Sequence, residues 1–238
     1  MYNELTVSVI IVAAGAGSRF GSEIPKQFCN LGGKPIVQYS IDVFKNNIFV
    51  DNIVLVASPN YLALCKQFTN DNVLLTEGGS SRQKSVACGI AAINTSFDLN
   101  EGIILVHDAA RPFVTNEIIN EVIKQTFDHK AATAAAIITD TIKQSFDGEF
   151  ASKTLSRENL FSIQTPQGFE KQILETAHKL GCAHNSTGYD DCQLVEEYLK
   201  INPRLVIVAS ELKNIKITHA SDLNYAKFLL EMLEVDKK

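Results

Sequence analysis

Five apolar, β-rich runs limit the folds open to this chain. They are VSVIIVAA (7–14), NIVLVAS (52–58), NVLLT (72–76), GIILVH (102–107) and TAAAIIT (133–139), and several are continuous rather than alternating. A strand without a polar side is covered on both faces, so such runs need helices above and below them. Helical patterns do fall between and after them, at about 35–46, 60–69, 82–93, 116–129, 169–181, 189–200 and 220–233. The alternation predicts an α/β fold, a Rossmann-like, mostly parallel, doubly wound sheet. Ligands of such sheets sit outside the carboxyl ends of the strands. The polar loops after the first, third and fourth runs are therefore the places to look for chemistry.

One stretch breaks the rhythm. DTIKQSFDGEFASKTLSRENLFSIQTPQ (140–167) alternates polar and apolar residues around Asp147-Gly148, a hairpin-type turn. It predicts a β-arm at 139–165 projecting from a single domain that spans 1–238. An isolated hairpin is marginal in water, so the arm is expected to pack against its counterpart in a second subunit, giving a homodimer. The net charge of −5 argues against nucleic-acid binding, which wants a basic domain. The run at 7–14 is far too short to span a bilayer, which takes ~20 residues. Cys29, Cys65, Cys88, Cys182 and Cys192 form no CxxC pair and read as reduced thiols. A cytoplasmic protein that binds no membrane is expected.

The loop after the first run, AAGAGSRFGSEIPKQF, suggests phosphate but fits neither common glycine template. A third dinucleotide-type glycine would stand where Phe20 is, and no Gly-Lys-Ser/Thr follows. What the loop offers is a run of backbone N–H groups at 14–18, with Gly15 and Gly17 allowing close approach, and two cations, Arg19 and Lys26. Such amides form anion-binding nests. EGGSSRQKSVACGI (77–90) leads through Gly79 to Ser80, Ser81, Arg82 and Ser85 at a helix start, where free N–H groups and hydroxyls can read a base or sugar. Taken by itself, this stretch reads better as a capped helix with a solvated Arg82. In LVHDAARPF (105–113), Asp108 ends a strand, where a lone carboxylate suits Mg²⁺ bridging to phosphates. Ala109 and Arg111 follow it, and His107 reads as a packed residue rather than a base. Lys216, in a short, otherwise apolar strand expected at NIKIT, reads on spacing alone as an edge lysine.

Taken together, AAGAGSRF, PKQF, GGSSRQKSV, VHDAARPF, DTIK, QTPQ and NIKIT resemble the bacterial cytidylyltransferases that make 4-diphosphocytidyl-2-C-methyl-D-erythritol in the non-mevalonate isoprenoid pathway. The resemblance runs nearly the whole length of the chain. It implies a nucleotidyltransferase fold with a dimerising arm and transfer of the cytidylyl group of CTP to 2-C-methyl-D-erythritol 4-phosphate, with Mg²⁺ as cofactor. It implies roles for Arg19 and Lys26 at the α-phosphate and leaving pyrophosphate, for Asp108 as metal ligand, and for Lys216 at the attacking phosphate. It also points to Ala13, Ala14, Gly15, Gly17, Gly79, Ser85 and Ala109 around the nucleotide, with Arg111 beside that site. Thr141 and Arg157 would reach the sugar phosphate bound by the neighbouring subunit. Tyr189 stands where the family usually has Thr, which keeps a related polyol phosphate such as ribitol 5-phosphate in view as acceptor. An NAD-binding dehydrogenase would want an acidic residue closing the second run, which ends in Ser58-Pro59. A non-catalytic nucleotide-binding protein would have no need to keep Arg19, Lys26, Asp108 and Lys216 together.

Overall fold

In the computed structural model, which describes every residue except 16, 18, 19, 22, 23, 71, 98–100, 210–213 and 236–238, all five apolar runs lie in one sheet. The first is β1 (Thr6–Ala13), and a small hairpin of β2 (Asn30–Leu31) and β3 (Lys34–Pro35) follows it. The others are β4 (Asn52–Ala57), β5 (Val73–Glu77), β6 (Gly102–Asp108) and β7 (Ala131–Ile137). The arm carries β8 (Ile142–Gln144) and β9 (Lys153–Leu155), paired antiparallel. β10 (Phe161–Glu170) and β11 (Arg204–Ile207) complete the set. Among the described residues the central sheet has seven strands in the order β11-β7-β10-β6-β1-β4-β5. Only β10 runs antiparallel to its neighbours there.

The helices are α1 (Ile36–Lys45), α2 (Leu62–Cys65), α3 (Arg82–Ser96), α4 (Asn116–His129), α5 (Lys171–Ala183), α6 (Asp191–Leu199) and α7 (Ala220–Val235). Side chains of a strand alternate between its faces, and β1 displays the consequence. Val9 and Ile11 pack with Val37, Ile41 and Phe44 of α1 and Ile119 and Val122 of α4. Ile10, between them, packs with Val86 and Ile90 of α3, Leu174 of α5 and Leu194 of α6. Both layers are dry, and each side chain of this kind taken fully out of water stabilises the fold by about 1.5–3 kcal/mol. A smaller cluster seats α7 through Ala226 and Leu229 against Leu31, Phe113 and Ile217. Ser81, Thr115 and Asp190 cap α3, α4 and α6 through their side chains, satisfying N–H groups that the first turn leaves unpaired.

The connections fix where a ligand can enter. From β1 the chain moves outward to β4 and β5, then returns across the sheet to form β6 on the other side of β1. The strand order therefore reverses between β1 and β6, and a crevice opens at their carboxyl ends.

Four expectations need correction. β10 and β11 have no counterpart among the expected strands. β10 also takes the end of the stretch expected in the arm, because from Phe161 the chain already pairs with β7. Its polar/apolar alternation looks the same in a hairpin and in a sheet, and Pro166 argues against a central strand. The register shift between Ile163 and Gln167 accommodates that proline. The expected helix at 60–69 is a single α-turn, α2, flanked by 3-10 turns. NIKIT forms no strand; Ile217 N–H donates to the Ala110 carbonyl at 2.9 Å and ties the segment across the end of β6.

Candidate active site

A cleft of about 890 Å³ opens at the reversal point, a size that suits a nucleotide-scale ligand. Ala14, Gly15, Gly17 and Lys26 line it from the first loop, Gly79, Arg82 and Ser85 from the α3 entrance, Asp108 and Ala109 from the end of β6, and Lys216 from NIKIT. These segments are distant in sequence and meet only because the strands ending there are neighbours.

The first loop is shaped by its own residues. Gly17 adopts φ +67°, a conformation costly for residues with a Cβ. Gln27 is buried and donates to the carbonyls of Ala13 at 2.6 Å and Gly15 at 3.0 Å. This side chain holds the loop back over the 3-10 turn Lys26–Phe28, which carries Lys26 to the cleft. At α3, the Ser81 hydroxyl accepts from Lys84 N–H at 3.1 Å, and Ser85 Oγ donates to the Ser81 carbonyl at 2.8 Å. That second bond sets the rotamer of a serine that is otherwise almost fully buried.

Asp108 is the electrostatic centre. Its Oδ1 accepts from Arg82 Nε at 3.2 Å, its Oδ2 accepts from Lys216 Nζ at 2.7 Å, and Arg111 Nε lies 4.0 Å from Oδ2. Burial would raise the carboxyl's pKa, but Arg82, Lys216 and Arg111 together outweigh it and hold it well below the usual carboxylate range. Burial likewise opposes charge on Arg82, and Asp191 and then Asp108 more than reverse it, leaving its pKa raised. Burial lowers the pKa of Arg111. Mg²⁺ accepts one or two carboxylates and completes its shell with water and substrate phosphates. Among the described residues no group of three His, Cys, Asp or Glu side chains is placed to cage an ion. This donor set suits a metal held between Asp108 and a phosphate, not one caged by protein alone. Lys216, more than a third exposed, can leave Oδ2 when a phosphate offers it a new partner.

Behind Asp108 lies a neutral relay. Asp108 N–H donates to Thr165 Oγ1 at 3.1 Å, and that hydroxyl stands 3.1 Å from His107 Nδ1. His107 Nε2 is 3.2 Å from the Arg111 carbonyl, which can only accept. The proton therefore sits on Nε2, and the Thr165 hydroxyl donates to Nδ1. Burial pushes His107 down to about 3, so it is neutral at physiological pH.

Of the residues expected in the site, Ala14, Gly15, Gly17, Lys26, Gly79, Ser85, Asp108, Ala109 and Lys216 all line the cleft. Ala13 is buried beneath it, with its carbonyl held by Gln27. Arg111 is not among the residues lining the cleft but stands beside it, its Nε 4.0 Å from Asp108 Oδ2. It is buried and donates to the Asn214 carbonyl at 2.8 Å, tying down the segment that carries Lys216. Thr141 and Arg157 are exposed on the arm, away from this chain's cleft, and Arg157 donates to the Thr139 carbonyl. Arg19 lies outside the described residues. Sequence reasoning left Arg82 as a solvated cation and missed Gln27, Thr165 and Asp191. Their partners are 12 or more positions away, so spacing gave no sign of them.

The relay sets a pH dependence. His107 has a folded pKa near 3 against an ordinary 6.5, so between these values the unfolded chain binds a proton that the folded chain does not. Its contribution is unaffected above about pH 6.5, and stability is lost as the pH falls below that value. Urea unfolding of the wild type should lose up to about 2 kcal/mol more than His107→Gln between pH 6.5 and 5. Equal losses would contradict a buried neutral histidine.

Comparison with known proteins agrees with this geometry over nearly the full chain. The family model for 2-C-methyl-D-erythritol 4-phosphate cytidylyltransferase matches residues 7–232. A Clostridium novyi protein of that name is 38% identical over 231 residues, covering 94% of this chain and 96% of the relative. One from Clostridioides difficile is 37% identical over 235 residues, covering 97% and 96%. Among solved structures, the 4-diphosphocytidyl-2C-methyl-D-erythritol synthase of Anaerococcus prevotii superposes with a TM-score of 0.81 at 26% identity, covering 95% and 96% of the two chains. The 2-C-methyl-D-erythritol 4-phosphate cytidylyltransferase of Francisella tularensis gives 0.81 at 31% identity, covering 94% and 99%.

Proposed function

Because the chain belongs to the 2-C-methyl-D-erythritol 4-phosphate cytidylyltransferase family, it is a cytidylyltransferase that forms 4-diphosphocytidyl-2-C-methyl-D-erythritol from CTP, and we propose that the cleft around Asp108 is where it does so. The observation that carries this reading is the convergence of Lys26, Arg82, Asp108 and Lys216 on one cleft at the carboxyl ends of β1 and β6.

A phosphate oxygen of the acceptor attacks the α-phosphorus of CTP. A new O–P bond forms, and the bond to the β-phosphate oxygen breaks with pyrophosphate as leaving group. A phosphate monoester is largely dianionic at neutral pH, so the nucleophile needs no general base. What the reaction needs is neutralisation and alignment of several negative charges. Lys26, with Arg19, meets the charge on the α-phosphate and the departing pyrophosphate. Backbone N–H groups of the first loop cradle the triphosphate. Lys216 turns from Asp108 to the acceptor phosphate and holds it in line with the α-phosphorus. Gly79 and Ser85 meet the cytosine, and Ala109 lies by the ribose. Asp108, freed on Oδ2, would hold Mg²⁺ against the triphosphate. Mg²⁺ supplies neutralisation of the phosphate oxygens when bound.

The arm completes the reading. Phe146 and Phe150 at its tip are 84% and 73% exposed, and a two-stranded hairpin needs a partner for its apolar residues. A homodimer through the arms covers them and brings Thr141 and Arg157 to the neighbour's acceptor. The enzyme works in the cytoplasm on soluble phosphates; among the described residues no helix is long and apolar enough to cross a membrane.

Two experiments test these assignments. Pyrophosphate release with CTP and Mg²⁺ should require 2-C-methyl-D-erythritol 4-phosphate, with ribitol 5-phosphate and ATP, GTP or UTP poor replacements. Equal or better release with ribitol 5-phosphate would reassign the acceptor, and release without any acceptor would refute the transfer. Mixing Arg157→Ala and Lys216→Ala subunits, each inactive alone, should restore activity in the heterodimer. No recovery despite measured subunit exchange would confine the site to one chain.

A further inference from the structure

Asp191 is fully buried yet does not line the cleft. It opens α6, and its backbone N–H donates to Gln167 Oε1 of β10 at 3.2 Å. Its two carboxylate oxygens have separate partners. Oδ1 lies 3.0 Å from His178 Nε2 of α5, and Oδ2 accepts from Arg82 Nη1 at 2.7 Å. The same guanidinium donates through Nε to Asp108 Oδ1. Arg82 is thus a bracket between two carboxylates, one at the reacting centre and one in the protein interior.

We propose that Asp191 is a positioning residue for the transfer. It fixes the Arg82 guanidinium and, through it, the face that Asp108 presents to the cleft. The inference rests on the proposed function of that cleft. An arginine side chain has many rotamers to lose, and its planar fork binds best where both edges are engaged. With Asp191 on one edge, Arg82 meets Asp108 through Nε alone and occupies Oδ1. Oδ2 is left to the cleft side, where Lys216 meets it. Without Asp191 the guanidinium is free to turn away from Asp108 and swing towards the triphosphate, which breaks the Nε–H bond to Oδ1. Stability is a weak reason to keep such a group. A buried ion pair is often matched or bettered by apolar residues of the same volume, whereas its geometry is not reproduced by them. The competing explanation is that Asp191 only seats α6 against β10, a task its backbone N–H and Asp190 already share through Gln167.

The test compares wild type, Asp191→Asn, Arg82→Gln and the double variant. One readout is solvent exchange of the Arg82 Nε–H in the ¹⁵N NMR spectrum of the enzyme alone. The other is kcat against KM for CTP. The Nε–H should be protected in the wild type and exposed to exchange in Asp191→Asn. The kcat of Asp191→Asn should fall about tenfold, the scale seen when an outer-shell partner is removed, with a smaller change in KM. The double variant should be no slower than Arg82→Gln, since Asp191 has then nothing left to position. Retained protection in Asp191→Asn, or losses that multiply in the double variant, would overturn the proposal. If Asp191→Asn does not fold, wild type and Arg82→Lys decide the matter. A rapidly exchanging Nε–H in the wild type, or wild-type kcat in Arg82→Lys, which lacks the planar fork that meets the two carboxylates, would overturn it. The exchange measurement needs no turnover. A wild type that fails to form product would therefore refute the proposed function without being mistaken for failure of the bracket.

Discussion

A carboxylate withdrawn from water survives only where cations and hydrogen bonds replace its hydration, and at the end of β6 that replacement comes from three directions. Arg82 arrives from the start of α3, Lys216 from the segment after β11, and Arg111 from the loop that Asp108 itself begins. Each of these segments has to be in place for the buried charge at Asp108 to be tolerated. The carboxylate and its partners thus tie the local structure to the closure of the whole cleft. With Asp191, which shares Arg82, the cluster is still electropositive on balance, two acids against three cations, before any substrate enters.

The sheet explains why these residues meet. Reversal of strand order between β1 and β6 opens the crevice, and the apolar layers on both faces hold the strand ends in register. Antiparallel β10 is inserted between β6 and β7, and its register shift brings Thr165 to Asp108 N–H. His107, neutral and buried against Phe44, links that threonine to the Arg111 carbonyl. Asn214 donates to the Thr165 carbonyl at 2.9 Å and so fastens the approach to Lys216 to the same point. The reacting surface is polar and open, while the His107–Thr165 pair behind it is buried and neutral.

Much of this was legible in the chain. The five apolar runs gave five of the six parallel strands because burial on both faces leaves a plain compositional trace. Asp108 stood out as a charge ending an apolar run and Lys26 as a cation of the glycine loop, and the motif resemblance supplied the roles that spacing could not. β10 was not legible, since alternation does not distinguish an arm from a sheet and Pro166 points away from a central strand. Lys216 looked like an edge lysine because its partner lies 108 positions earlier. Arg111 looked like a site residue by proximity to Asp108, yet its side chain turns inward. Arg82 read as a solvated cation and Asp191 was missed, because a pairing that spans 109 positions leaves no local pattern.

The central claim is that the Asp108 carboxylate organises the transfer and is not merely a structural counter-ion for three cations. Single-turnover formation of pyrophosphate by Asp108→Asn, with CTP and acceptor saturating and folding checked by thermal melting, tests it most directly. The account predicts a rate lower by about 10²-fold or more, the scale of a lost preorganised electrostatic contact, in a protein that remains folded. A folded variant turning over within about twofold of the wild type, well inside the loss expected for a single such contact, would contradict it.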